Sequence, residues 1–399
     1  MDAYRQAVFC LRYFFFAMFS SSSRVIAVLL VGGSLLAACG PQQSAEQQAA
    51  AKATDKAADA QAKADTASQG TTPRLLATFP DSLNTPDGLV LAPDGRVLLS
   101  VPNLADNKYP AQIVELTATG YKPFIKRLPV EPTTKKATPM DLAFGPDGNL
   151  YYAENQYENS KDYKSRLMRV LMKNGQPTGT IETAVDNFCL ANATVWKGNT
   201  LYVTDSQWDM PNNDKGSAVM RFTLAELKPG TTVHLKPKTK DPHVLAQFTT
   251  TVNETGVDNG ADGLDYDSKG RLYTGFFGDG TFHRLTLNPD GSLAKQEVVP
   301  VAAPKIPCID GLVIDRATDK AYICDSRLNA IEVIDLNTNA HTILARNGDT
   351  DGAGGKLDQP AEVLLKGKQL IVSDYDKPEK HFVNTKSDAP HTESVLDLP

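Results

Sequence analysis

Apolar residues in this chain recur in short alternating runs that pair as hairpins. The clearest is Ile309-Asp310-Gly311-Leu312-Val313-Ile314-Asp315, which returns through Lys320-Ala321-Tyr322-Ile323-Cys324-Asp325. Related hairpins run from Asp87–Leu91 to Arg96–Leu99, from Met140–Phe144 to Asn149–Tyr152, from Asn192–Trp196 to Thr200–Val203, and from Asp262–Tyr266 to Arg271–Tyr273. A more degenerate sixth pairs Ala361–Leu365 with Gln369–Val372. Pro93-Asp94-Gly95, Pro146-Asp147-Gly148 and Ser268-Lys269-Gly270 sit at the turns, where they supply the positive φ that tight hairpins need. Two more strands follow a hairpin, as in Gln112–Leu116 with Lys122–Ile125 or Ala330–Ile334 with His341–Leu344. Units of this kind, roughly 50 residues apart, have the period of propeller blades, so the pattern predicts an all-β, six-bladed β-propeller.

The last repeat shows no fourth strand after Phe382, whereas Arg74–Phe79 reads like the fourth strands elsewhere, for example His243–Phe248. This N-terminal strand is expected to close the last blade, because an open seam would leave strand edges unpaired. Thr385 to Pro399 is polar and Pro-interrupted and predicts no element, and the insertion Leu227 to Pro242 is given no role.

Upstream of the repeats, Arg24 precedes the apolar run Val25–Leu36, which ends in Leu36-Ala37-Ala38-Cys39. Small residues before a cysteine, behind an apolar run too short for a confident span, resemble a bacterial lipoprotein signal with Cys39 as the lipidated residue. Residues 40–72 are mostly Ala, Gln, Lys, Asp, Ser and Thr, unable to build a core. The expected organisation is a signal at 1–39, a low-complexity tether at 40–72 and the propeller at 73–399. The expected location is the bacterial cell envelope, with the lipid as the only membrane attachment. Gly40, rather than Asp, after the cysteine favours the outer membrane facing the periplasm.

A net charge of −6 without a basic stripe argues against a nucleic-acid partner. A small molecule acting on a monomer is the simpler expectation. Removal of Cys10 and lipidation of Cys39 leave three cysteines, an odd number at spacings unlike a zinc site. The six His residues are scattered, and no Gly-x-Ser-x-Gly elbow or phosphate-cradling loop is present.

Inner strands of a propeller converge on its axis, so residues at their starts form a ring around one tunnel mouth. Here that ring reads Asp87, Met140, Asn192, Asp262, Asp310 and a degenerate sixth member near Pro360. Gly88, Gly263, Gly311 and Ala193 follow, as a crowded axis requires. Any one of these Asp residues could serve only as a turn acceptor. Three carboxylates and an amide in one funnel, however, repel each other unless a cation joins them or their pKa values rise. Oxygen donors suit calcium first, with magnesium, manganese or zinc as alternatives. Second-strand ends Glu154, Asp205, Asp325 and Asp374 are expected near the same mouth. The loops Asn103–Ala111, Asn155–Lys164 and Ser206–Gly216 are expected to form a lid there, with Tyr109, Tyr157, Tyr163 and Trp208 as its aromatics.

The six repeats and the pattern Asp-Gly-Leu-x-x-Asp-x-x-Gly-x-Leu-Tyr resemble the gluconolactonase and senescence-marker-protein (regucalcin-like) family of sugar-lactone lactonases. The resemblance covers roughly Arg74 to Asp376 and implies a divalent cation held by Asp87, Asp262 and Asp310. It implies that Asn192 touches substrate or metal and that Asp310 is the catalytic base; Tyr109, Tyr157 and Trp208 are the further candidates for substrate contact. The implied activity is that of a carboxylic ester hydrolase acting on a lactone or related ester. Two departures stand out: Asp87 replaces a longer Glu, and Leu190 stands where an Arg that grips sugar hydroxyls is often found. The competing reading is a non-catalytic NHL-like propeller that binds a ligand or protein at the cell envelope.

Overall fold

A computed structural model of the 399-residue chain describes residues 69–210, 216–251 and 256–398. Cys39 and most of the tether lie outside the described residues. Six antiparallel sheets follow one another along the chain, each built from a hairpin on the axis and two outer strands. Blade one comprises Leu89–Leu91, Val97–Val101, Gln112–Thr117 and Gly120–Ile125, and blade two Pro139–Phe144, Leu150–Glu154, Ser165–Lys173 and Gln176–Phe188. Blade three comprises Ala191–Lys197, Thr200–Asp205, Gly216–Thr223 and Val244–Thr249, and blade four Ala261–Tyr266, Leu272–Phe276, Phe282–Leu287 and Leu293–Val298. Blade five comprises Leu312–Asp315, Lys320–Asp325, Ala330–Asp335 and His341–Arg346.

Blade six holds the closure. Pro360–Lys366 and Gln369–Asp374 are followed by His391–Asp397, and Arg74–Phe79 pairs antiparallel with that strand as the fourth. The latch is the one read from the sequence. The third strand is not: it lies in the tail that predicted no element, because Glu393 and Ser394, on opposite faces of the strand, are both fully buried and disguise its alternation. Two further edges are covered. Gln69–Gly70 adds to blade five, and Val233–His234, within the insertion, adds in parallel to blade two.

The core fills the spaces between blades. One cluster joins blades two and three through Tyr151, Phe188, Trp208 and Phe222, and another joins blades four and five through Tyr273, Phe282, Ile309 and Ile323. At the axis, backbones touch. Gly263 N donates to Asp310 O at 3.2 Å, and Gly311 N donates to Ala361 O at 2.7 Å. A Cβ on Gly263 would meet Asp310 O at 2.4 Å, and one on Gly88 would meet Asp141 Cα at 2.4 Å. The small residues after the ring positions are what allow the inner strands to pack. Cys189, Cys308 and Cys324 are all buried and free.

Candidate active site

The topology brings the predicted ring together at one mouth. Asn192 Nδ2 donates to Asp262 Oδ1 at 2.7 Å. Asp262 is also hydrogen-bonded to Asp310, and Ser326 Oγ donates to Asp310 Oδ2 at 2.7 Å. Burial, followed by the charges of Asp310 and Asp87, raises Asp262 well above the usual carboxylate range. Burial also raises Asp87, reinforced by Asp310 and then Asp141. Burial pushes Asp310 up to about 7, with hydrogen bonds from Ser326 and Asp262 opposing it. All three shifts run towards the protonated form, the direction that a crowded, desolvated carboxylate set takes without a cation.

Two further acids point at the axis. Asp141 and Glu362 occupy the position where blades one, four and five have Gly88, Gly263 and Gly311. A Cβ on Gly311 would lie 2.5 Å from Glu362 Oε1. Burial first, then Asp141, Asp310 and Asp87, raises Glu362 well above its usual range. Aligning blades by ring position alone hides this pair; an acid where sister blades have an axial glycine is the signal that finds them. Asp141, Asp265 and Glu362 line a tunnel space of about 110 Å³.

Second-strand acids serve their own blades. Asp205 accepts from the amides of Cys189, Leu190 and Gln207. Glu154 pairs with Arg166. Asp325 accepts from the amides of Arg327 and Leu328. Asp374 accepts from the Asp358 amide and the Ser394 hydroxyl.

The aromatics of the three expected lid loops are spread out. Trp208 is fully buried in the cluster between blades two and three, edge-on to Tyr163 at 6.3 Å, so it is a core residue rather than a substrate contact. A loop folded back on its blade buries its largest apolar surface. Tyr163 donates to Asp209. Tyr157 packs under Lys161, 3.0 Å from the ring centroid, and its acidic surroundings are Asp258, Asp209 and Asp205 rather than the ring. Tyr109 lines a separate cleft of about 510 Å³ between loops of blades one and two.

The mouth is covered instead by residues 375–390 of blade six. Lys377 Nζ is 2.9 Å from Glu158 of blade two. Val383 N donates to Arg327 O of blade five at 2.8 Å, and Phe382 meets Phe277 of blade four at 6.0 Å. Blades two and five stand opposite each other in a ring of six, so a segment touching both crosses the mouth. At its root Tyr375 lies among Asp87, Glu158 and Asp310; burial, then these charges, raises its phenol well above the usual range. An acidic neighbourhood of this kind favours its phenol as a hydrogen-bond donor.

The fold and the site together define a six-bladed β-propeller with a buried carboxylate and amide ring under a covering segment. The model of the SMP-30/Gluconolactonase/LRE-like region matches residues 104–316, more than half of the chain, and the protein belongs to that family. Solved structures of similar fold include the PQQ-bound aldose sugar dehydrogenase of Streptomyces coelicolor, 16% identical with a TM-score of 0.51, covering 83% of this chain and 98% of that one. A Thermus thermophilus protein assigned as a glucose dehydrogenase is 15% identical with a TM-score of 0.50, covering 83% and 100%. Regucalcin from Agrobacterium tumefaciens, a calcium-binding protein, is 13% identical with a TM-score of 0.49, covering 82% and 94%. At these identities the likeness is one of fold. No curated protein matches the chain in sequence.

Proposed function

We propose that the protein is a divalent-metal-dependent hydrolase of lactones or related esters. The observation that carries this reading is the buried contact of Asp262 with Asp310, joined by Asn192 and faced by Asp87. The donor chemistry suits a hard cation: the ring carboxylates do not all lie within 4.8 Å of one another, a shared positive charge would draw them together, and the set is all oxygen once the Asn192 carboxamide turns its Oδ1 inward. Asp87, Asp262, Asp310 and Asn192 would hold the ion, with calcium the first candidate. A bound cation would polarise the ester carbonyl as a Lewis acid.

The rest of the chemistry belongs to the chain. Asp310, oriented by Ser326, suits removal of a proton from the attacking water. Tyr375 can donate to a substrate oxygen, and the segment that follows it limits water at the mouth. Leu190 is buried, with its amide on Asp205, and offers no grip on sugar hydroxyls. Simple lactones and apolar esters are therefore favoured over polyhydroxylated ones. Turnover of a lactone and ester panel with calcium, manganese, magnesium or zinc tests the proposal. Absence of turnover with every metal would remove the hydrolase and leave the non-catalytic binding propeller.

We also propose attachment to the outer membrane through lipidated Cys39, on the sequence of the amino terminus. Cys39→Ala should release the protein or stall its processing. Unchanged membrane fractionation with an unmodified amino terminus would refute the anchor.

A further inference from the structure

Among the described residues, one group of three acids brings ligand oxygens within 4.8 Å of one another, and it is not the ring. It consists of Asp358, just before the inner strand of blade six, Asp376, just after the second strand, and Asp388, near the end of the covering segment. Asp358 and Asp376 are each 1% exposed. The basic side chain against the group is His391, whose Nδ1 is 3.2 Å from Asp376 Oδ2. Burial, then Asp376, Asp374, Asp388 and Asp351, pushes Asp358 up to about 10.

A second observation points to a ligand. Asn384 is 1% exposed, and its Nδ2 lies 3.4 Å from Asp376 Oδ1, so the carboxamide packs directly on the group. Its Oδ1 is buried without a hydrogen-bond partner, as are Asp358 Oδ1 and Asp388 Oδ1. A buried amide oxygen without a donor is costly. Turning the carboxamide by 180° would aim that oxygen at the Asp376 carboxylate, which is unfavourable without a positive charge between them. Four side chains would then offer oxygen alone, the chemistry of a calcium ligand set.

We propose that Asp358, Asp376, Asp388 and Asn384 form a second divalent-cation site, for which calcium is the best-suited ion. The ion would tie both ends of the covering segment to blade six: Asp376 stands at its start, Asn384 and Asp388 in its second half, and Asp358 on the blade itself. The site is separate from the ring and does not depend on the hydrolase reading.

The test uses the full-length chain stripped with EDTA, with calcium chloride as the probe. Trypsin reads the segment at Lys377, Lys380 and Lys386, and equilibrium dialysis counts bound calcium. Calcium at roughly ten times its Kd should slow cleavage about tenfold in the wild type, since cleavage follows the open population. Asp310→Asn should keep this protection. Asp388→Asn, at a half-buried position, and Asn384→Leu should each lose it and bind one calcium fewer per chain. Equal cleavage with and without calcium in the wild type overturns the proposal. So does protection that Asp310→Asn abolishes while Asp388→Asn retains it, or a stoichiometry that neither Asp388→Asn nor Asn384→Leu lowers.

Discussion

Lys377 and Glu158, 219 residues apart in sequence, meet at 2.9 Å and join blade six to blade two across the tunnel mouth. Both side chains are partly exposed, so the pair is expected to contribute less than about 1 kcal/mol to global stability. Lys377→Ala should leave the melting temperature nearly unchanged but speed amide hydrogen exchange over residues 377–384. Exchange as slow as in the wild type would mean that the other contacts hold the segment alone.

Asp310 and Asp262 are expected to matter more to a cation and to catalysis than to the fold. Asp310→Asn should lower hydrolysis by about 10²–10⁴, the range of a lost general base. In EDTA, either Asp→Asn variant should melt close to the wild-type temperature, because metal-free crowding already favours uncharged carboxyls and an amide of the same size replaces one of them. Calcium should stabilise the wild type more than either variant. If both variants lose several degrees even in EDTA, these residues are structural acceptors and the site assignment fails.

Gly263→Ala tests the axis. The added methyl meets the Asp310 carbonyl oxygen at 2.4 Å and Gly311 Cα at 2.9 Å, both backbone atoms that cannot step aside alone. A loss of about 1–3 kcal/mol in urea unfolding is expected, the cost of overpacking a tight core. An unchanged midpoint would mean that the inner strands are looser than their hydrogen bonds imply.

His283 should shape the acid limb of stability. Burial lowers it to about 4, and it stacks on Phe276 at 4.3 Å. The native state therefore binds fewer protons than the unfolded chain between about 4 and the ordinary His value of 6.5. Its contribution is full above 6.5 and is lost as pH falls towards 4. His283→Gln should flatten the fall in melting temperature over that window relative to wild type. Parallel pH profiles would contradict the shift.

The blade count, the inner hairpins, the N-terminal latch and the ring Asp87, Asn192, Asp262 and Asp310 are all legible in the residues alone. All of these follow from local periodicity repeated at a fixed interval: strand alternation sets which residues face the axis, and repetition sets their level along it. What repetition cannot encode comes from contacts between distant segments. His391–Asp397 becomes a strand because blade six and Arg74–Phe79 present edges on both its sides, despite a buried Glu393 that reads as polar. Trp208 sinks into the core, whereas Tyr375 and Lys377 come over the mouth, because a loop's direction depends on contacts with distant blades. Asp358, Asp376 and Asp388 meet for the same reason. Asp358 stands on the connection into the blade and Asp376 and Asp388 on the covering segment, and the folding of the blade fixes their distances where chain spacing does not.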